Sequence, residues 1–299
     1  MQHISRREVK FARANGIDIA YQTFGDKDAS PLILIMGLGS QMVLWDGEFC
    51  RKLAAGGYRV IRFDNRDIGL STKLDWMQVP DTTAVAAALQ RGEVPALPYT
   101  LEDMAADTAA LLTALGYDKA HIVGESMGGM IGQIMAINLP ERLLSLTSIM
   151  SSTGDPFLPP PSPEVLEILY TPSPTDHNGF VESFVRTFKV LSGAAMPLSE
   201  ALARKWAEQS YKRGLNPAGV ARQFAAIMAA GDRTEKLKSI SIPTLVIHGD
   251  VDPLLPVECG LATATAIPGS RLKIIQEMGH ALPEAVWPQI VAEITRHAV

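Results

Sequence analysis

Short, largely apolar runs recur along the chain at 31–36, 58–64, 120–124, 143–150 and 243–248, and segments of helical periodicity separate several of them. A half-exposed strand reads as an alternation of apolar and polar residues, whereas a run that is apolar throughout suits a strand covered on both faces. Between them, 101–115 spaces its apolar residues at three and four, and 127–139 reads as a helix stopped by Pro140. Strand and helix in alternation predict an α/β chain with a mostly parallel central sheet and helices on both faces.

The ends of this pattern are distinctive. Residues 8–24 form two short alternating runs joined at Asn15-Gly16, a dipeptide suited to a tight hairpin turn, so an antiparallel ribbon is expected at one sheet edge. After Ser151 the proline-rich stretches 155–163 and 171–174 cannot continue a sheet, and the segments beyond them read as amphipathic helices carrying Phe, Trp and Tyr. Residues 153–233 are therefore expected to form a helical cap inserted into one core domain made of 1–152 and 234–299. In the second part of that core a helix is expected near 257–266, a strand at 271–277 and a closing helix from Pro283. The connection 77–100 should hold one short helix and help to roof the site.

Composition narrows the partners. Of 299 residues 47% are hydrophobic and 20% charged, which supplies ample material for a core. The formal charge of −5, with no dense Lys/Arg tract, argues against nucleic acid and against an anionic membrane, and favours a small, largely neutral substrate. Residues 1–10, including His3, have no apolar leader-like stretch, and 32–36 is too short to span a bilayer, so a cytoplasmic location is expected. Cys50 and Cys259 are too few and too far apart for a disulfide framework or a zinc site. No Gly-x-Gly-x-x-Gly opens a first helix, and neither a cofactor nor a metal is expected. The composition is compatible with a homo-oligomer.

The chemistry gathers in a few loops. Gly124-Glu125-Ser126-Met127-Gly128 sits between an expected strand and an expected helix, where a sharp reversal would present Ser126 as a nucleophile and small residues give the backbone room. The plainer reading of the same serine is a helix N-cap. A serine hydroxyl needs a base, and His280 in Met278-Gly279-His280 is the histidine that follows a late strand at its carboxyl end, where ligands gather in open parallel sheets. His121, His177, His248 and His297 fit other places, His177 best on the cap surface. For the acid that orients the base, Gly249-Asp250-Val251-Asp252-Pro253 offers two carboxylates. Asp252, before a proline, is preferred; Asp250 is expected to bind loop amides, and Asp155 is an outside candidate. Two oxyanion donors are expected from the Met127 amide at the helix start and the Leu38 amide in Met36-Gly37-Leu38-Gly39. Asp64-Asn65-Arg66-Asp67-Ile68-Gly69-Leu70-Ser71 reads as an Asp-Arg-Ser network pinning a turn. Glu125 should point away from the substrate as a buried or hydrogen-bonded brace.

With these motifs in this order the chain resembles the α/β-hydrolase family over almost its whole length, and within it the bacterial serine esterases similar to aclacinomycin methylesterase. The matching stretches are 36–39, 60–71, 124–129, 248–253 and 279–283. The resemblance implies the α/β-hydrolase fold, a triad of Ser126, Asp252 and His280, oxyanion donors at Leu38 and Met127, no cofactor, and cleavage of carboxylic esters of small molecules. The same triad also serves lactone hydrolysis, cofactor-free perhydrolysis and carbon–carbon bond hydrolysis, and a hydrolase fold retained only to bind a ligand is a further alternative. Two departures stand out: Met36-Gly37 replaces the His-Gly of many members, and Glu125 is bulkier and more acidic than the usual neighbour of the nucleophile.

Overall fold

The structure is a computed structural model that describes residues 8–171 and 173–298; His3, with the rest of 1–7, and Pro172 lie outside the described residues. Eight strands form one sheet: β1 (Lys10–Ala14), β2 (Ile17–Phe24), β3 (Ser30–Ile35), β4 (Tyr58–Phe63), β5 (Ala120–Glu125), β6 (Leu143–Ile149), β7 (Thr244–Gly249) and β8 (Arg271–Ile275). Their spatial order is β1-β2-β4-β3-β5-β6-β7-β8. The ribbon β1–β2 pairs antiparallel with itself and with β4, and the remaining neighbours are parallel. In that ribbon Ala14 pairs with Ile17, so the loop is only Asn15 and Gly16, both at positive φ (47° and 78°), as a hairpin of this hand demands.

Helices α1 (Gly47–Ala55), α2 (Thr82–Gln90), α3 (Leu101–Ala114) and α4 (Met127–Asn138) fall between the earlier strands. Between β6 and β7 lie α5 (Pro163–Tyr170), α6 (His177–Ser192), α7 (Glu200–Arg213), α8 (Pro217–Ala230) and the short α9 (Thr234–Leu237). Helices α10 (Val257–Ala266) and α11 (Trp287–His297) complete the chain. Residues 77–100 thus contain one short helix, α2, as their sequence suggests.

Successive residues of β3 show why its sequence is apolar throughout. Ile33 and Ile35 pack into a core with Leu111 and Leu112 of α3 and Ile131 and Ile134 of α4. Leu32 and Leu34 face the opposite side, among Phe49 and Leu53 of α1 and Ile290 and Ile294 of α11. Neighbours on a strand point to opposite faces, so a sheet sandwiched by helices needs an apolar side chain at every position. Full burial of one such side chain contributes about 1.5–3 kcal/mol.

Because β3 to β8 run parallel, the loops that leave their carboxyl ends share one edge of the sheet. Residues 36–40, 64–71, 126, 150–155, 250–255 and 276–283 are gathered there. Strand β8 stops earlier than its apolar run suggests because Glu277 turns to a φ of 62° and donates its amide to Asp250.

Candidate active site

Between β5 and α4 the chain reverses at a single residue. Ser126 has φ 55° and ψ −118°, a conformation that a residue with a Cβ holds only under constraint from its surroundings. Those surroundings are mostly backbone, with the Ser151 side chain beside them. A Cβ on Gly124 would strike the Gly128 carbonyl, one on Gly128 would strike the Ile35 carbonyl, and one on Gly129 would lie 2.6 Å from the Ser151 Cβ. The Ser126 amide donates to Ile149 O at 2.9 Å, and its carbonyl accepts from the Gly129 amide at 2.9 Å and the Ser151 hydroxyl at 2.8 Å. Ser126 stands at the N-cap position of α4, but its side chain makes no capping hydrogen bond.

At the ends of β7 and β8, Asp252 and His280 meet. His280 Nδ1 lies 2.7 Å from Asp252 Oδ2, and both side chains are buried. The other carboxylate oxygen accepts from the Leu254 and Leu255 amides at 2.9 and 2.8 Å, which fixes its orientation. With Nδ1–H committed to Asp252, neutral His280 carries its lone pair on Nε2. Burial alone would lower the His280 pKa, but the Asp252 charge and hydrogen bond, helped by Glu125, outweigh it and raise the pKa above the ordinary imidazole value. The other acidic candidates turn elsewhere: Asp250 Oδ1 accepts from the Glu277 amide at 2.6 Å, and Asp155 Oδ1 from the Phe157 amide at 2.9 Å. Gly249 lets these two loops touch, since a Cβ there would strike the Met278 carbonyl.

Ser126 shares this edge with the Asp252–His280 pair, but its hydroxyl makes no hydrogen bond to His280. Glu125 couples electrostatically to both members of the pair. It is half-buried, and its carboxylate accepts no hydrogen bond among the described residues, so of the two expectations for it, a buried or a hydrogen-bonded brace, the second is not met. Loss of water around it pushes its pKa up to about 7, with His280 pulling down and Asp252 pushing up.

Leu38 reaches the same place from β3. A Cβ on the preceding Gly37 would sit 3.2 Å from the Ser126 Cβ and 3.7 Å from its Oγ, so the loop passes directly over the elbow. Among the described residues neither the Leu38 amide nor the Met127 amide has a hydrogen-bond acceptor. Of the remaining histidines, His121 is buried against Ser145 Oγ at 2.9 Å, and His177 is a surface residue paired with Glu208. His248 is buried, its Nε2 2.7 Å from Leu255 O and 3.6 Å from Asp252 Oδ2.

The acidic loop after β4 does more than pin its own turn. Asp64 accepts from the Leu70 amide at 2.9 Å and Ser71 Oγ donates to its carbonyl at 2.6 Å, as a turn network would. Arg66, however, reaches Asp107 on α3 at 2.6 Å, and the arginines that meet Asp64 and Asp67 come from the inserted helices: Arg213 and Arg222. Gln223, beside Arg222, joins Arg66 O to the Gly39 amide. Sequence reading missed these residues because polar side chains on amphipathic helices ordinarily face water. The one available signal was an Arg-Gln pair set among the alanines of α8.

A family profile described as alpha/beta hydrolase fold matches residues 30–284. Rhodomycin D methylesterase DnrP of Streptomyces peucetius is similar at 32% identity, over 91% of this chain and 92% of its own. Rhodomycin D methylesterase DauP of Streptomyces sp. (strain C5) matches with the same identity and coverage. Among solved structures, the esterase RhEst1 from Rhodococcus sp. ECU1013 superimposes with a TM-score of 0.74 at 20% identity, over 97% of this chain and 98% of that one, a likeness of fold. Among the described residues no helix is long and apolar enough to cross a membrane.

Proposed function

The chain belongs to the alpha/beta hydrolase fold family, and from that premise we propose that it hydrolyses carboxylic esters of small, largely apolar molecules through an acyl-enzyme on Ser126. Ser126 Oγ attacks the ester carbonyl while its proton passes to His280 Nε2. The tetrahedral oxyanion accepts hydrogen bonds from the Leu38 and Met127 amides, which water does not have to reorganise to supply. Collapse expels the alcohol as His280 returns the proton, and water repeats the cycle on the acyl group. Asp252 holds the tautomer and stabilises the imidazolium without itself taking the proton.

The observation that carries this reading is the 2.7 Å contact of His280 Nδ1 with Asp252, which leaves Nε2 as the basic nitrogen on the edge where a strained, uncapped serine stands. In the same reading residues 153–233 act as a cap over a core of 1–152 and 234–299. The methylesterase activity named for the two Streptomyces relatives makes a methyl ester the first substrate to try. We place the protein in the cytoplasm, where a reducing environment suits its two buried thiols.

The test uses p-nitrophenyl esters of several acyl lengths, a panel of methyl esters and an organophosphonate, on the wild type and on Ser126→Ala. Wild-type turnover, a loss of roughly 10³-fold or more in the variant, and a label carried by Ser126 alone are expected. Absence of both serine-dependent turnover and labelling would sink the esterase reading and leave a ligand-binding module. Turnover confined to lactones would make the same acyl chemistry that of a lactonase.

A further inference from the structure

Resting on that esterase reading, we propose that Gln223 of α8 is a positioning residue for the oxyanion loop, so that the inserted helices set the geometry of the Leu38 donor. The loop is held on both sides of Leu38. Before it, Met36 O accepts from Asn65 Nδ2 at 3.0 Å; after it, the Gly39 amide donates to Gln223 Oε1 at 2.9 Å. Gly39 has a φ of 66°, and a Cβ there would meet the Val220 side chain at 3.1 Å, so α8 is seated directly against this turn.

The chemistry requires an amide at 223. Gly39 N–H can only donate and Arg66 C=O can only accept, so a single side chain that satisfies both needs one acceptor and one donor in a fixed fork. Gln223 Nε2 donates to Arg66 O at 3.0 Å while Oε1 serves Gly39, and the side chain is fully buried. A leucine at this position loses both bonds. A glutamate keeps an acceptor for Gly39 and sets an oxygen against the Arg66 carbonyl. The helix has its own attachment: Arg222 meets Asp67 through two contacts of 2.8 Å, both side chains buried. Loss of Gln223 therefore frees the loop without undocking α8.

Gln223→Leu and Gln223→Glu are compared with the wild type by three measurements. These are kcat and KM on a short-chain p-nitrophenyl ester, inhibition by a trifluoromethyl ketone of matching acyl chain, and exchange of the Gly39 backbone amide followed by NMR. For Gln223→Leu we expect kcat to fall roughly 10- to 100-fold with KM within about twofold, because the interaction lost is one made in the transition state. The ketone should weaken by the same factor, and Gly39 exchange should accelerate. Gln223→Glu, which keeps the size and one bond, should fall between, and serves alone if the leucine variant does not fold. Unchanged kcat in both variants with accelerated Gly39 exchange overturns the proposal, as does a rise in KM at constant kcat. A wild type that shows Gly39 protection but no turnover removes the esterase reading, and the positioning role with it, while the clamp itself remains visible in the exchange.

Discussion

The elbow at Ser126 and the loop at Leu38 lie against one another, yet they are held in opposite ways. At the elbow the constraint is close steric approach: Gly124 and Gly128 let β5, α4 and the end of β3 meet backbone to backbone, and Gly129 makes room for the Ser151 side chain after β6. At the loop the constraint is side-chain amides from elsewhere, Asn65 and Gln223, the latter 184 positions distant from Gly39 along the chain. Steric demands of the first kind appear in a sequence as glycine at fixed spacing. Polar demands of the second kind look, in the sequence, like the wet side of an amphipathic helix.

The Asp252–His280 pair stands between the two cases, since each residue sits in a short loop but the bond joins different strand ends. Asp252→Asn is the change of largest expected effect. An amide at 252 can no longer hold the Nδ1–H tautomer, and kcat should fall by roughly 10⁴-fold with little change in KM. Asp250→Asn, at a carboxylate that accepts from the Glu277 amide and not from His280, should keep most of the activity. Equal losses in the two variants would show that the loop as a whole, and not the contact with His280, matters.

Cutting the distant attachment comes next. Arg222→Met leaves Asp67 buried and unpaired beside the Leu74 amide, and a buried ion pair broken from one side costs about 3–5 kcal/mol. Denaturant unfolding monitored by far-UV circular dichroism should show this as a lower midpoint with unchanged slope. The elbow supplies the counterpart. Gly124→Ala drives a methyl group into the Gly128 carbonyl, and overpacking of this kind costs about 1–3 kcal/mol in the same assay. The two differ in what activity survives in the folded fraction: Arg222→Met should retain most of kcat at low temperature, and Gly124→Ala should retain little, because the strain sits at Ser126, the proposed nucleophile.

Much of the frame was readable for the reason the elbow was. The hairpin at Asn15-Gly16, the doubly covered β3 and the parallel order each follow from a local rule of backbone or periodicity. The pairing of Asp252 with His280 was also within reach, because a parallel sheet brings the carboxyl ends of β7 and β8 together wherever the chain wanders between them. Arg213, Arg222 and Gln223 were not, since nothing in the spacing of an insert says which of its polar residues turns inward. For Glu125 the sequence left burial and hydrogen bonding open, because strand alternation sets the side to which a residue points but not whether a partner waits there.

Glu125 gives the smallest and most discriminating prediction. Catalysis by the proposed mechanism needs neutral His280, so activity is present above the His280 pKa and is lost as pH falls through it. The negative charge of Glu125 favours the imidazolium and contributes to the raised His280 pKa. Glu125→Gln removes that charge, so the acid limb of kcat/KM should move to lower pH. The shift should be less than about one unit, because Asp252 is the stronger partner. With Glu125 itself titrating at about 7, the wild-type limb belongs to the coupled pair and should spread over two steps, whereas the variant should show one. An acid limb unchanged in position and shape would mean that Glu125 is electrically silent toward His280. The elbow would then contribute backbone geometry alone, with no charge of its own, to the residue that takes the proton from Ser126 in the proposed mechanism.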